Sequence, residues 1–251
     1  MAVTNKRGIF ALLDVRERQA AGVWTVKSDV WLTPSPFRLA HPFGYFGGGG
    51  PGIVNVGRVD YLNDTVTASP KGPLSVGRRR HGATGNQNFG YFGGGKAPGT
   101  VSSVDRIDYG NDTATASLKG PLSGARYWLA ATGNQNFGYF GGGLFLPATV
   151  DRIDYSNDTA TASPKGPLSS GKSKLAATGN SSFGYFGAGY GPVGIVSTVD
   201  RIDYSNDTET ASTKGPLSVA REFLAATGNS DFGYFGGGKT PGPVYSTLDR
   251  V

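Results

Sequence analysis

Phe137-Gly138-Tyr139-Phe140-Gly141-Gly142-Gly143 decides how this chain is read, because the same seven residues, or nearly so, recur at 43–49, 89–95, 183–189 and 232–238. The leading phenylalanines, Phe43, Phe89, Phe137, Phe183 and Phe232, stand 46, 48, 46 and 49 residues apart. A period of that size belongs to propellers and other repeat folds, in which one supersecondary unit is copied and stacked. Only Ala188 interrupts the three-glycine run.

Working outward from Phe137, a complete unit begins at Leu129. Leu129 to Thr132 reads as a short strand of small residues, and Gly133-Asn134-Gln135-Asn136 supplies turn chemistry. Phe137 to Gly142 is a second strand whose glycines admit a neighbouring backbone. After a loop of variable sequence, Val150 to Tyr155 is a third strand, Ser156-Asn157-Asp158 a tight turn, and Thr159 to Ser163 a fourth strand. Lys165 to Ser169 then crosses to the next unit. Four short strands with tight turns make one four-stranded antiparallel blade, so the expected fold is all-β, a five-bladed β-propeller.

Gly and Pro number 41 and 15 of 251 residues, but 12% aromatic and 37% hydrophobic content supply apolar surface for a packed fold. Cysteine is absent, which excludes disulfides and thiolate metal sites. No apolar run is long enough to suggest a membrane-spanning helix. The net charge of +6 is spread through the repeats, and the one local cluster, Arg78-Arg79-Arg80-His81, reads as a solvated patch rather than a nucleic-acid stripe. His41 and His81 occupy non-equivalent repeat positions and read as solvated or incidental.

Residues 1–22 lie outside the repeat. Ile9, Phe10, Leu12 and Leu13 form an apolar block that runs into Arg16-Glu17-Arg18 and ends at Gly22, the pattern of a short helix. Such a helix either covers the domain or anchors it in another subunit. Residues 23–251 then form the propeller. Its last unit reaches only the third strand, at 246–251, and the alternating segment 23–27 is expected to supply the missing outer strand and close the ring, removing an exposed edge.

The unit resembles the Kelch type of β-propeller repeat. The paired glycines Gly141-Gly142, the Asp154-Tyr155 and Asn157-Asp158 turn, and the basic residues Arg78, Arg126 and Arg221, with Lys172 in one unit, follow that family's order. The family's outer-strand tryptophan is absent from the internal units, although Trp24 falls in the proposed closing strand. The wording of the repeats and of the leader also resembles Kelch-like virion proteins of marine cyanobacterial phages. That resemblance implies a non-enzymatic structural protein of the phage particle, tail- or fibre-associated, held to other virion proteins or to further copies of itself.

The repeated pairs Asp105 and Asp108, Asp151 and Asp154, and Asp200 and Asp203 are the best candidates for catalytic carboxylates. Strand alternation puts the two members of each pair on opposite faces, with Arg106, Arg152 or Arg201 beside the second. Structural ion pairs are the expectation, and no catalytic residue is assigned. Asp108, Asn111 and Asp112 lack the spacing of a calcium loop and read as turn residues, so no metal is expected. Gly47 to Gly50 is followed by Pro51 rather than a helix, so no phosphate or other cofactor site is expected. Copper chemistry lacks its Cys and His ligands.

The units differ from one another at 96–100, 144–148, 190–195 and 239–245, and at Tyr127-Trp128, Ser173-Lys174 and Glu222-Phe223. In an antiparallel blade these segments emerge on one side. A face carrying Tyr127, Trp128, Phe145, Tyr190, Phe223 and Tyr245 is therefore the expected contact surface, for protein or for a host glycan or receptor.

Overall fold

The computed structural model describes residues 42–145 and 148–251. Among them are strands β1–β18, numbered in chain order and arranged in five antiparallel sheets that form a five-bladed β-propeller. The third blade shows the unit whole: β8 (Ala130–Gly133), β9 (Phe137–Gly141), β10 (Val150–Asp154) and β11 (Ser163–Lys165) pair in chain order. The second blade, β4 (Gly82–Gly85), β5 (Phe89–Gly93), β6 (Val104–Asp108) and β7 (Ser117–Lys119), repeats that order. So does the fourth, with β12 (Ala176–Gly179), β13 (Phe183–Gly191), β14 (Gly194–Asp203) and β15 (Ser212–Lys214).

The first blade contributes β1 (Phe43–Gly47), β2 (Val56–Asp60) and β3 (Ser69–Lys71), and the last β16 (Ala225–Gly228), β17 (Gly233–Gly236) and β18 (Leu248–Arg250). The N-terminal helix with Ile9, Phe10, Leu12 and Leu13, the closing strand at 23–27 and His41 lie outside the described residues.

Three local expectations are corrected. The third strand ends at Asp154, and Tyr155–Asn157 is a 3-10 turn. Residues 159–162 are not a strand; the outer strand starts at Ser163, where it pairs with Arg152. Asp154 accepts a hydrogen bond from the Ser156 amide at 2.9 Å and the Ala160 amide donates to the Asn157 carbonyl at 3.2 Å, so local bonds hold the chain coiled and delay the ladder. Finally, Tyr190 and Ile195 belong to a hairpin that extends β13 and β14 rather than to a loop.

Alternation along Phe-Gly-Tyr-Phe-Gly explains how blades pack. Phe140 points to the preceding blade and Tyr139 to the following one, and each face of the strand carries a glycine that leaves a hole. A Cβ on Gly141 would stand 2.5 Å from the Phe186 ring, and one on Gly93 2.7 Å from Phe140. The ring of one blade therefore enters the gap in its neighbour, as Phe92 does over Gly47 and Phe235 over Gly187. Phe140, Phe186 and Phe235 are completely buried. Hydrophobic clusters at these four interfaces form the core.

In the second to fifth blades the crossing segment is tied down by an aspartate, Asp105, Asp151, Asp200 or Asp249, where the first blade has Gly57. The Ser123 amide donates to Asp151 at 2.9 Å, and Arg126 meets the same carboxylate at 2.9 Å. Arg78 with Asp105, Lys172 with Asp200 and Arg221 with Asp249 repeat the arrangement at 3.3, 3.0 and 2.6 Å. The cations are buried, and burial pushes the Arg78, Arg126 and Lys172 groups below their ordinary pKa values while the facing aspartates oppose that.

Two readings of charge change accordingly. Arg78 is not part of a solvated patch: it is fully buried, Arg79 is half-buried, and only Arg80 is exposed. His81 is packed rather than solvated, with its ring 5.7 Å from Phe92. Burial and the nearby Arg78 cation lower its pKa from 6.5 to about 4, with a hydrogen bond to the Gly47 backbone acting in the other direction. Sequence pattern marks both as polar, and the close approach of the first two blades overrides that.

Candidate functional site

The residue two places after each buried cation is Arg80, Trp128, Lys174 or Phe223, and each has a left-handed backbone, with φ of 58°, 60°, 56° and 59°. Non-glycine side chains adopt that conformation at a cost of about 1–2 kcal/mol. Hydrogen bonds between blades hold it. The Trp128 amide donates to the Arg80 carbonyl, Lys174 to Trp128 and Phe223 to Lys174, at 2.8, 2.8 and 2.9 Å. These rungs set residues from four blades side by side just ahead of the innermost strands.

The preceding residue of each unit fastens the variable loop to the same place. Arg79 exchanges backbone bonds with Lys96, Ser173 with Tyr190, and Glu222 with Lys239, while the Leu144 amide donates to the Tyr127 carbonyl at 2.9 Å. Segments distant in sequence are thus gathered on one face, as the antiparallel order of each blade requires.

Aromatic rings and cations interleave there. The Arg80 guanidinium lies 4.4 Å from the Trp128 ring centroid, and Lys174 Nζ lies 4.9 Å from Trp128, 4.9 Å from Tyr190 and 5.0 Å from Phe223. Tyr127 packs at 4.9 Å from Trp128 and 5.8 Å from Phe145, and Trp128 meets Phe223 edge-on at 5.9 Å. Lys96 over Tyr127 and Lys239 over Phe223 extend the pattern. Glu222 bonds Lys174 at 2.8 Å, which leaves Arg80, Lys96 and Lys239 to give the face a positive balance.

Five of the six aromatics expected on the contact face, Tyr127, Trp128, Phe145, Tyr190 and Phe223, are therefore brought together. Tyr245 is not: it is half-buried, its amide bonds Gly238 at 2.9 Å, and it enters none of these ring contacts. Lys96, Lys174 and Lys239 lie in the variable segments expected on this face but outside the contact residues singled out there, and Arg80 lies outside both. The signal for Arg80 is the offset from a buried cation that it shares with Trp128, Lys174 and Phe223.

The other candidate chemistry resolves into structural bonds. In each pair the first aspartate meets a buried cation, and the second, Asp108, Asp154 or Asp203, accepts from the amide two residues on at 2.9 Å. Serine hydrogen bonds hold the Asp154 and Asp203 carboxyls below the usual range. Of the arginines expected beside the second aspartate, Arg106 and Arg152 reach the following blade instead, as Arg58 does in the first blade, whereas Arg201 stays near Asp203. Arg58 meets Asp112, Arg106 meets Asp158 and Arg152 meets Asp207 at 2.8, 2.7 and 2.7 Å. Asp112 also accepts from the Tyr45 hydroxyl and lies 3.3 Å from Lys71. Burial opposes its charge, but these partners outweigh burial and hold its carboxyl below the usual range. Its oxygens are committed to cations of the protein itself.

A scan against known protein families finds no match, and no curated protein matches the chain. The reading of its role rests on the face just described.

Proposed function

We propose that this chain is a non-enzymatic binding propeller of the Kelch-like sort, carried in a phage particle as a tail- or fibre-associated component and using the Arg80–Trp128–Lys174–Phe223 face for contact. The single observation that carries the binding reading is that face itself. Four non-glycine residues hold a strained backbone at one repeat position, where glycine would sit without strain, and their side chains form a continuous aromatic and cationic surface. Half-exposed rings stack on sugars or on apolar side chains, and interleaved cations favour a ligand with negative charge. An acidic host-surface glycan or receptor fits that chemistry, and a neighbouring virion protein with an acidic surface is the alternative occupant.

The particle setting comes from the resemblance of the repeats and the leader, with residues 1–22 as the proposed attachment. A glycan array that includes uronic and sialic acids, read with the parent chain and Trp128→Ala, tests the binding reading. Binding to acidic members, lost in the variant while the thermal melt is kept, supports it; equal binding by both proteins overturns it. Deleting residues 1–22 and measuring incorporation into particles tests the setting separately, and unchanged incorporation would count against it.

A further inference from the structure

One ammonium on the aromatic face is enclosed by three rings and a carboxylate. Lys174 Nζ lies 4.9 Å from the Trp128 ring centroid, 4.9 Å from Tyr190 and 5.0 Å from Phe223, and it bonds Glu222 Oε2 at 2.8 Å. All three ring distances fall in the cation–π range, within about 6 Å of the centroid. Trp128 stands ahead of β8, Glu222 and Phe223 ahead of β16, and Tyr190 on the β13–β14 hairpin, so the enclosure exists only in the folded ring. Glu222 is buried, whereas Tyr190 and Phe223 are 48% and 46% exposed, which gives a charged floor and walls open to solvent. At the repeat position of Glu222 the other units carry Arg79, Tyr127 and Ser173, so the acid stands at the one of these four positions where the three rings converge.

The walls do not depend on the ammonium. The Trp128 and Phe223 amides are fixed by the rungs to Arg80 and Lys174, and Tyr190 exchanges two backbone bonds with Ser173 at 2.7 and 3.0 Å. Only the flexible Lys174 side chain is free to leave. A primary ammonium is strongly hydrated, so rehydration offsets much of what it loses on departure. A trimethylated ammonium donates no hydrogen bond and is better matched to aromatic walls, and a centroid distance of about 5 Å leaves room for a methyl group in van der Waals contact. Cations flank the enclosure on two sides, with Lys239 Nζ 5.4 Å from the Phe223 centroid and the Arg80 guanidinium 4.4 Å from that of Trp128. An anion linked to the incoming ammonium would meet one of these or the displaced Lys174.

We propose that Trp128, Tyr190, Phe223 and Glu222 form a cage for a quaternary ammonium group, filled in the free protein by Lys174. The ligand is a zwitterion of the phosphocholine kind, whose phosphate draws Lys174 out as its trimethylammonium enters. The cage is part of the proposed contact face and rests on that reading of it. Phosphocholine is carried by substituted surface glycans and by lipid headgroups, and the chemistry at the cage is the same for both.

Phosphocholine, choline, phosphoethanolamine and inorganic phosphate are each titrated into the full chain and followed by NMR shifts. One-to-one binding of phosphocholine is expected, with the Trp128 indole resonance moving. Phosphoethanolamine and inorganic phosphate should bind at least tenfold more weakly, since neither places methyl groups against the rings. Lys174→Gly suits the left-handed backbone at this position and vacates the cage, so it should bind choline at least tenfold more tightly than the parent. Adding Glu222→Gln to that variant should remove the gain. Flotation with phosphatidylcholine vesicles separates the sources: co-flotation assigns a lipid headgroup, and phosphocholine binding without flotation assigns a glycan substituent. No shift with phosphocholine at about 10 mM, equal affinity for phosphoethanolamine, or no gain for choline in Lys174→Gly overturns the cage. If acidic glycans still bind when phosphocholine does not, this inference alone is lost; if neither binds, the contact face is lost with it.

Discussion

Arg152 and Asp207 lie 2.7 Å apart across 55 residues of sequence, and their bond joins one blade to the next. Tyr139 and Lys165 converge on the same carboxylate, which is nearly buried. Asp112, Asp158 and Asp207 each collect three donors from the preceding blade, so these three interfaces are specified by charge and hydrogen bonding as well as by ring packing.

Asp207→Ala should leave Arg152, Lys165 and Tyr139 without their shared acceptor at a partly buried interface and lower the unfolding free energy by about 2 kcal/mol in urea denaturation. Asp64 holds the same repeat position in the first blade but is exposed. Asp64→Ala should change stability by less than about 0.5 kcal/mol. Equal losses would show that the interface bond contributes nothing beyond a surface charge.

Gly141→Ala places a methyl against the Phe186 ring and should cost about 1–3 kcal/mol by overpacking. At Gly236 the nearest described atom is Leu248 Cδ1 at 3.2 Å, on a side chain that is 65% exposed and free to give way. Gly236→Ala should leave the melting temperature within about 2 °C of the parent. The contrast is read in two thermal melts.

His81 gives the chain a pH response of known sign. Its folded pKa, about 4, is below the unfolded value of 6.5, so the unfolded chain takes up the proton first as pH falls. The contribution is complete above about pH 6.5, declines as pH drops toward 4 and is flat below, with a total of about 3 kcal/mol. His81→Phe should remove that part of the stability-versus-pH curve. Parallel curves for the two proteins would refute it.

Trp128→Gly separates strain from contact. Relief of the left-handed backbone offsets lost ring contacts, so stability should stay within about 1 kcal/mol of the parent. Binding through the aromatic face should fall at least tenfold, measured on the tightest glycan of the array. A large loss of stability would mean that Trp128 is a packing residue first.

The repeat was legible because each unit is written in nearly the same words. Blade number, strand order and the side on which variable segments emerge all follow from a 46- to 49-residue period and antiparallel connection. The turn at 155–160 was misplaced because side-chain bonds to the backbone compete with the ladder, and an alternating Thr-Ala run reads as a strand until those bonds are seen. Tyr245 was grouped with the other aromatics by its position in a variable loop, and the loop's path carries it away from them.

The order of residues in this chain was sufficient to determine its blades, since periodicity of turns and apolar positions is a local property. Who meets whom between blades was decided only in three dimensions. Arg152 passes over Asp154 for Asp207, Arg78 leaves its basic neighbours for Asp105, and Arg80 comes to lie on Trp128. In each case the partner lies tens of residues away, and the packing of blades and crossing segments, which no linear spacing records, brings the two together; for Arg78 and Arg152 the buried carboxylates they meet make those bonds stronger than the nearer alternatives.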